Sequence, residues 1–210
     1  MRLRKVAGAK ERIEDCKYTI ARPEDNKGKW NQIFKNDNPI NIEIGMGKGQ
    51  FITNHAKRDK NINFIGIEKF DSVLVRAVEK LDNIELDNLK LIRMDAENIK
   101  DVFDNEIDTV YLNFSDPWPK NRHEFRRLTS TEFLTRYNSI FKNTKTIIQK
   151  TDNRKLFEFS LISFVENGYK LEEISLDLYN DEYPLNIPTE YEEKFNKKGQ
   201  CIYMVKATKM

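Results

Sequence analysis

The sequence predicts an α/β fold built on an open, doubly wound, mostly parallel sheet. From residue 40 onward, short runs rich in β-branched residues alternate with amphipathic segments of helical period. About a dozen residues separate most neighbouring strands, which is the spacing of helical crossovers between parallel strands. The last two predicted strands have no clear crossover helix between them, so we expect an antiparallel element at one edge of the sheet.

The individual elements follow from the same periodicity. Seven strands are predicted, at 40–45, 62–68, 89–96, 108–115, 144–151, 169–179 and 200–208. Helices are predicted at 49–59, 71–83, 130–141 and 153–168, the last closed by Gly168 as a cap. In sheets of this kind, ligands bind beyond the carboxyl ends of the strands, near the point where the strand order reverses. The candidate residues at those ends are therefore the ones to inspect.

Composition limits the classes of protein to consider. With 210 residues the chain is long enough for one well-buried core, and 36 Lys and Arg against 34 Asp and Glu leave a net charge of only +2. Cys16 and Cys201 lie far apart and match no metal-ligand spacing, which favours a reducing compartment and predicts no metal site. No apolar run reaches the roughly 18 residues of a membrane span, and the start lacks a secretory signal pattern. We expect a cytoplasmic protein that has no contact with membranes.

The chain divides into two parts by composition. Residues 1–38 are polar and basic and read as an N-terminal arm and lead-in, and residues 39–210 form a single predicted domain. The basic start carries Arg2, Arg4, Lys5, Lys10 and Arg12. It is either a contact for phosphates or simply a disordered end.

A glycine-rich turn follows the first predicted strand. In "EIGMGKGQF", Gly45, Gly47 and Gly49 allow a tight turn and close approach of a ligand to the backbone. The next two strands end in Glu68 and Asp95, so that carboxylates collect at one crevice, with Glu68 suited to ribose hydroxyls. The spacing is G-x-G-x-G, not the dinucleotide pattern G-x-G-x-x-G. Together with Glu43, which suits an ammonium group, it favours S-adenosylmethionine over NAD; turn glycines beside solvated acids are the alternative.

The stretch "NFSDPWPKNRHEFRR" follows the fourth strand at the same edge. Pro117 and Pro119 stiffen this loop, so that Asp116 and Trp118 are held facing a ligand, where an indole stacks on a base and a carboxylate accepts from a base edge. A core tryptophan beside a turn aspartate is the competing interpretation. The cluster that follows is suited to phosphates: Lys120, Arg122, His123, Arg126 and Arg127.

Two further segments point to the same crevice. "QKTDN" places Lys150, Thr151 and Asp152 at the end of the fifth strand. "PTEYEEKF" places Thr189, Glu190, Tyr191 and Glu192 on a late loop that is able to close over a substrate.

In combination, these motifs resemble the bacterial tRNA (guanine-N7-)-methyltransferases. The resemblance covers about the last 170 residues of the 210, and "DPWPKNRHEFRRLT" is its most specific part. It implies the class I S-adenosylmethionine-dependent methyltransferase fold, whose final strand is antiparallel. It also implies methyl transfer to N7 of a guanosine in the tRNA variable loop, at tRNA position 46, by a monomer or homodimer.

The resemblance also implies roles for single residues. Glu43, Glu68, Asp95 and Asp116 match cofactor-side positions, and Asp116 matches a position proposed as catalytic. Lys120, Asp152 and the segment from Thr189 to Glu192 match substrate contacts, and residues 122–127 match a stretch that contacts RNA. At Asn121 and Phe125 the resemblance leads us to expect lysine, so these two positions bear on the strength of RNA binding.

Three other functions compete with this one. An NAD-dependent oxidoreductase accounts for the glycines and Glu68 but not for the basic cluster. A non-catalytic RNA-binding protein that retains the fold leaves the cofactor acids without a role. An amino-methyltransferase is the third, because "SDPW" loosely matches the Asp-Pro-Pro-aromatic loop of those enzymes.

Overall fold

A computed structural model of the chain describes residues 6–181, 183 and 186–210. Its helices are α1 (Ala9–Glu14), α2 (Trp30–Phe34), α3 (Gln50–Arg58), α4 (Asp71–Lys80), α5 (Ile99–Val102), α6 (Thr131–Tyr137), α7 (Arg154–Glu166) and α8 (Glu190–Asn196). Its strands are β1 (Ile40–Ile44), β2 (Asn63–Glu68), β3 (Leu89–Arg93), β4 (Ile107–Asn113), β5 (Phe141–Thr151), β6 (Lys170–Ser175) and β7 (Tyr203–Lys209). Short 3₁₀ turns lie at Pro23–Asn26, Ala96–Asn98 and Asn121–Arg126.

The strands form one seven-stranded sheet in the order β3-β2-β1-β4-β5-β7-β6. The pairs from β3 through β5 are parallel, whereas β7 is antiparallel to both of its neighbours. The predicted α/β sheet and its antiparallel edge element are therefore confirmed, with β7 inserted one position in from the edge. The strand order reverses between β1 and β4, so that the carboxyl ends of these strands flank the switch point.

An apolar core layer covers each face of the sheet. Ile40, Ile42 and Ile44 of β1 face a core layer that also holds Trp30 and residues of α5, α6 and α7. On the other half of the sheet, Phe64 and Leu89 contribute to a second layer beneath α1, α3 and α4. All five residues of β1 are buried, as expected for the centre of a parallel sheet covered on both faces.

The lead-in before residue 39 is packed on the sheet in the part that the structure describes. The backbone N–H of Leu91 donates to the Tyr18 carbonyl at 2.9 Å, and Ile20 N–H donates to the Leu91 carbonyl at 3.0 Å, which covers the β3 edge. Trp30 has no exposed surface, and its indole N–H donates to the Val102 carbonyl at 2.9 Å. The domain boundary at residue 38 stays a prediction, and the part of the basic start at residues 1–5 lies outside the described residues.

Four short helices, α1, α2, α5 and α8, are additions to the predicted elements. The capping of α8 shows why a charged, turn-rich stretch becomes helical. The Thr189 hydroxyl accepts from the Glu192 N–H at 3.0 Å, and the Glu192 carboxylate accepts in return from the Thr189 N–H at 3.3 Å. This reciprocal capping box satisfies two N–H groups that the first turn leaves unpaired.

Replacing Trp30 tests whether the lead-in is part of the folding unit. We expect Trp30→Ala to lower the free energy of unfolding by about 3–5 kcal/mol, because it opens a cavity in the main core and removes a buried hydrogen bond. Urea unfolding followed by circular dichroism measures the change. Gln32→Ala, at an exposed position of the same helix, is the matched control and is expected to have little effect; equal stabilities for the two variants would contradict the prediction.

Candidate active site

The turn after β1 adopts the backbone conformation that its glycines permit. Gly45, Gly47 and Gly49 all have positive φ, at 76°, 58° and 74°. The N–H groups of Gly45 and Met46 donate to the Ile67 carbonyl at 2.9 and 3.0 Å, so the turn is fixed to β2. A Cβ on Gly49 would lie 3.0 Å from that of Ala77, which shows how closely α3 approaches α4 here.

Glu43 lies beneath this turn with an unsatisfied carboxylate oxygen. Its side chain is 1% exposed, and Oε1 accepts from the Asn113 amide at 2.8 Å. Within the described residues, neither the other oxygen of Glu43 nor the amide oxygen of Asn113 forms a hydrogen bond of normal geometry, although the Ile52 N–H in the first turn of α3 lies near enough to favour the ionised Glu43 carboxylate. Both residues line a cavity of about 200 Å³ together with the glycine turn. Two acceptors without donors fit a ligand that brings N–H groups, such as the ammonium of an amino acid.

The environment of Glu43 also changes its titration. Burial raises the pKa of this carboxyl from 4.5 to about 7, against the opposing effects of the Asn113 hydrogen bond and of the nearby Lys150 charge. A bound cation would lower the pKa of Glu43 again, because an opposite charge favours the ionised form.

Glu68 is held by backbone donors at the end of β2. Its Oε1 accepts from the N–H groups of Lys69 and Phe70 at 2.9 and 3.0 Å, and Oε2 accepts from Gly47 N–H at 3.2 Å. Burial is the main cause that raises its pKa. The contact with Gly47 links the carboxylate directly to the glycine turn, so the two predicted cofactor elements lie together.

Asp95 follows β3 at the same edge. It forms an ion pair with Lys69, and its Oδ1 accepts from Glu97 N–H at 3.1 Å as the N-cap of a 3₁₀ turn. The hydrogen bond that Lys69 donates to the Asp95 carboxylate is the main cause that raises the pKa of Lys69. Both carboxylates thus lie where the sequence predicts them.

The loop after β4 brings Asp116 to this edge on a constrained backbone. Phe114 and Trp118 have positive φ, at 52° and 42°, a conformation that residues other than glycine seldom adopt. The Asp116 side chain is exposed, and its negative charge contributes to the raised pKa of Glu68. Asp116 is therefore close enough to share an electrostatic environment with the cofactor-side acids.

Arg127 fixes the shape of that loop. Its guanidinium donates to the carbonyls of Pro117 and Trp118, each at 3.1 Å, and lies 4.3 Å from the centre of the Phe159 ring. The residue is only 9% exposed. Arg127 was predicted to contact RNA. In this conformation, its Nε and one Nη donate into the protein, to the carbonyls of Pro117 and Trp118.

The other members of the basic cluster are accessible. Lys120, Arg122 and Arg126 are exposed on or beside the 3₁₀ turn Asn121–Arg126. The Arg126 guanidinium lies 4.9 Å from the Trp118 ring centre, and His123 lies edge-on to the same ring at 6.0 Å. A half-buried indole and exposed cations therefore share one surface beside Asp116.

The late loop reaches the cavity from the opposite side. Thr189, Glu190 and Tyr191 line the same cavity as Glu43. The Tyr191 hydroxyl donates to Asp152 Oδ2 at 3.1 Å, which joins two predicted substrate contacts. Glu192 differs from the prediction: it has no exposed surface and pairs with Lys150 at 2.5 Å. A carboxylate buried in this way makes no contact with a substrate in this conformation.

Sequence reasoning missed the role of Asn113, which is the partner of Glu43. The signal was present, because Asn113 is the polar residue at the carboxyl end of β4, and β4 lies directly beside β1. Met46, Lys48, Gln50 and Phe51 also line the cavity and were not singled out. Within the described residues, no group of three or more His, Cys, Asp or Glu side chains is arranged to hold a metal ion, and no helix is long and apolar enough to cross a membrane.

Comparison with known proteins identifies relatives of this chain. A family model described as "Putative methyltransferase" matches residues 37–205. A tRNA (guanine-N(7)-)-methyltransferase of Lachnoclostridium phytofermentans is 52% identical over 209 residues, covering 99% of this chain and 98% of the relative. The protein of the same name from Bacillus subtilis is 54% identical over 191 residues, covering 90% of each.

Solved structures with similar folds are more distant in sequence. An antibiotic-related methyltransferase superposes with a TM-score of 0.66 at 17% identity, covering 87% of this chain and 92% of that one. A SAM-dependent methyltransferase from Aquifex aeolicus superposes with a TM-score of 0.56 at 15% identity, covering 97% and 99%. The fold and the glycine turn over Glu43 place this chain among the class I S-adenosylmethionine-dependent methyltransferases. Within that class, it belongs to the tRNA (guanine-N(7)-)-methyltransferase family.

The raised pKa of Glu43 predicts a pH-dependent difference between the ligand-free wild type and Glu43→Gln. The folded protein retains a proton that the unfolded chain loses above about pH 4.5, so the stability from protonated Glu43 is present at low pH and is lost as pH rises through about 7. Between pH 4.5 and 8, we expect the free energy of unfolding of the wild type to fall by about 2–4 kcal/mol relative to that of Glu43→Gln. Urea unfolding across this range measures the difference. Glu158→Gln, at an exposed position, is the control; a difference for Glu43→Gln that does not change with pH would contradict the prediction.

Proposed function

We propose that this enzyme transfers a methyl group from S-adenosylmethionine to N7 of a guanosine in the variable loop of tRNA, at tRNA position 46, in the cytoplasm. The observation that carries the proposal is the unsatisfied Glu43 carboxylate beneath the glycine turn, at the same strand edge as Asp116 and the exposed cations. The names of relatives about half identical over nearly the whole chain support the reaction and the tRNA substrate.

The residues present fit this cofactor. Glu43 and Asn113 offer acceptors for its ammonium group, and the N–H groups of the first turn of α3 suit its carboxylate. Glu68 retains accepting capacity for ribose hydroxyls, and Asp95 lies where it meets an exocyclic amine. When bound, S-adenosylmethionine supplies a methyl group that its sulfonium already activates.

The chemistry of the acceptor atom determines what the protein must add. Guanine N7 carries an in-plane lone pair and no proton, so no general base is needed. The protein's task is alignment, which contributes up to about 7–11 kcal/mol in well-oriented reactions. We assign this task to the stiff loop that holds Asp116 and Trp118, because Arg127 fixes its backbone.

Asp116 is the proposed catalytic residue as well as a cofactor-side residue. Methylated guanine is cationic, and a carboxylate placed before the reaction stabilises charge that develops during it. Asp116 also suits the guanine N1–H and amino group, which are donors on the base edge. Both roles use a permanently placed negative charge and neither removes a proton.

The tRNA is held by two groups of residues. The exposed cations Lys120, Arg122 and Arg126, with His123, suit phosphates on one side of Asp116. Asp152, Thr189, Glu190 and Tyr191 are the proposed substrate contacts on the other side, where they already form a connected wall. Because N7 lies in the deep major groove of paired RNA, the target guanosine must be exposed for this site to reach it.

Methylation of unmodified tRNA, followed by nuclease digestion and mass analysis of the nucleosides, tests the reaction. We expect 7-methylguanosine as the product and, after mapping by fragment analysis, a single modified position in the variable loop. Methyl on an exocyclic amine, or binding of tRNA without transfer, would overturn the assignment.

Asp116→Asn tests the proposed catalytic role in the same assay. We expect kcat to fall by about two or more orders of magnitude, because the variant keeps the shape but loses the charge. Calorimetric titration with S-adenosylhomocysteine is expected to show affinity within a few-fold of wild type. Asp101→Asn, at an exposed position on α5, is the control. Turnover like that of the wild type in Asp116→Asn would exclude the role.

The exposed cations predict a strong salt dependence of tRNA binding. In a plot of the logarithm of the association constant against log salt concentration, the slope is negative. We expect it to become less negative by about 0.7–0.9 for each of Lys120→Gln, Arg122→Gln and Arg126→Gln. Lys142→Gln, which is exposed at the opposite end of β5, leaves the slope unchanged. Filter binding between low and moderate salt provides the measurement, and an unchanged slope in all three variants would remove the cluster from the RNA interface.

A further inference from the structure

Lys150 at the end of β5 is a buried cation whose donors are all used within one segment. Its side chain is 5% exposed. The ammonium donates to Glu192 Oε2 at 2.5 Å, to the Ile187 carbonyl at 2.9 Å and to Asn186 Oδ1 at 3.1 Å. These are the three hydrogen bonds that an ammonium is able to donate. All of them go to residues 186–196, which we term the covering segment.

Glu192 completes the same network from the side of the covering segment. Its Oε1 accepts from the Asn186 amide at 2.6 Å, and its Oε2 accepts from Thr189 N–H at 3.3 Å as part of the capping box. The side chain has no exposed surface. Lys150, Asn186 and Glu192 therefore form a closed set in which each partner bonds to both of the others.

The covering segment forms one wall of the cofactor cavity. Thr189, Glu190 and Tyr191 line that cavity and lie directly between Ile187 and Glu192 in the chain. On the other side, Lys150 Nζ lies 4.9 Å from the centre of the Phe51 ring, and Phe51 lines the cavity next to the glycine turn. Lys150 thus connects the strand, the helix after the glycine turn and the covering segment.

The other ties of the covering segment are at the surface. Glu190 pairs with Lys80 and, at 3.5 Å, with Lys48, all partly exposed. The Gln50 amide donates to Glu193 at 3.2 Å, also in an exposed setting. Exposed pairs of this kind contribute little to stability in typical proteins. Tyr191 adds an exposed hydrogen bond from its hydroxyl to Asp152 and a ring contact with Phe114 at 4.8 Å. The Lys150–Glu192 network is the buried attachment of the segment.

We propose that Lys150 is a positioning residue that holds the covering segment against the cofactor cavity, with Glu192 as its buried counter-ion. This rests on the proposed function, and it assigns Glu192 a different role from that of a substrate contact. Burial lowers the pKa of Lys150, and the Glu192 carboxylate opposes that change. The two charges are therefore interdependent, and removal of either leaves the other buried without a partner.

Stability and positioning are separable at this site. Removing only the cation by Lys150→Met leaves the buried Glu192 carboxylate without its counter-ion and destabilises the fold. Replacing both partners, by Lys150→Met with Glu192→Met, removes both charges and fills a similar volume, which in other buried pairs is close to neutral for stability. The double variant still lacks the Lys150 ammonium that donates to Asn186 and Ile187. The positioning role is therefore lost in the double variant even where its stability is recovered.

The experiment compares the full-length wild type, Lys150→Met, the double variant and the exposed-pair control Arg154→Gln/Glu158→Gln. Thermal unfolding gives Tm, hydrogen exchange reports the amides of 190–196 without ligand, and calorimetry gives Kd for S-adenosylhomocysteine. We expect the largest fall in Tm for Lys150→Met and a smaller fall for the double variant, which loses the Glu192 half of the capping box but leaves no buried charge without a partner. In both Lys150 variants we expect exchange at 190–196 to be at least tenfold faster and Kd to rise at least tenfold. The control is expected to match the wild type.

A double variant with wild-type Tm, exchange and Kd would overturn the proposal, because the pair would then be a structural contact only. If the double variant does not fold, Asn186→Ala decides, since it removes the residue that bonds both charges and leaves the pair in place. A rise in exchange and Kd of about threefold or more supports the proposal, and wild-type values overturn it. A wild type that binds S-adenosylhomocysteine but does not methylate tRNA would reject the proposed substrate and leave this test intact.

Discussion

The parallel pairing of β1 with both β2 and β4 is the constraint on which the site depends. Glu43 lies opposite Gly66 of β2 and Tyr111 of β4, so that all three strands end at one edge. A Cβ at Gly66 would lie 2.2 Å from the sulfur of Met46, so the Met46 side chain packs over β2 at a position that has no side chain. The turn, Glu68 and Asn113 then meet around Glu43 as a consequence of register.

The site combines buried charge with incomplete hydrogen bonding. Glu43 has an oxygen without a normal hydrogen bond among the described residues, whereas Lys150 and Glu192 are bonded to each other and to Asn186, Ile187 and Thr189. An unsatisfied buried carboxylate costs free energy in the ligand-free protein, and a cationic ligand recovers it. A fully bonded pair offers nothing to a ligand but fixes geometry. The first arrangement is typical of a binding group and the second of a scaffold. Glu43 lies on β1, and the pair lies on β5 and α8, with β4 between the two strands.

The elements that the sequence predicts well are those determined by local pattern. The seven strands have β-branched periodicity, and the glycine turn requires positive φ at three positions, so neither depends on distant contacts. Helices α1, α2 and α8 have five to seven residues, too short to be stable alone, and they form because of tertiary contacts and caps. The burial of Arg127 and Glu192 was also not predictable, since each stands in a charged stretch and only its non-local partners set it apart.

Arg126 and Arg127 are adjacent residues of one type with different contacts to the loop that carries Asp116. Arg127 is turned inward onto the carbonyls of Pro117 and Trp118, and it thereby fixes the path of the chain on either side of the indole. Arg126 is exposed and lies over the face of the same indole. The proposed phosphate contact of Arg126 would therefore lie on a surface whose shape Arg127 sets. Because the loop carries Asp116 on the same backbone, the proposed RNA contact and the proposed catalytic carboxylate would share one support, which would leave little ordering for the moment of reaction.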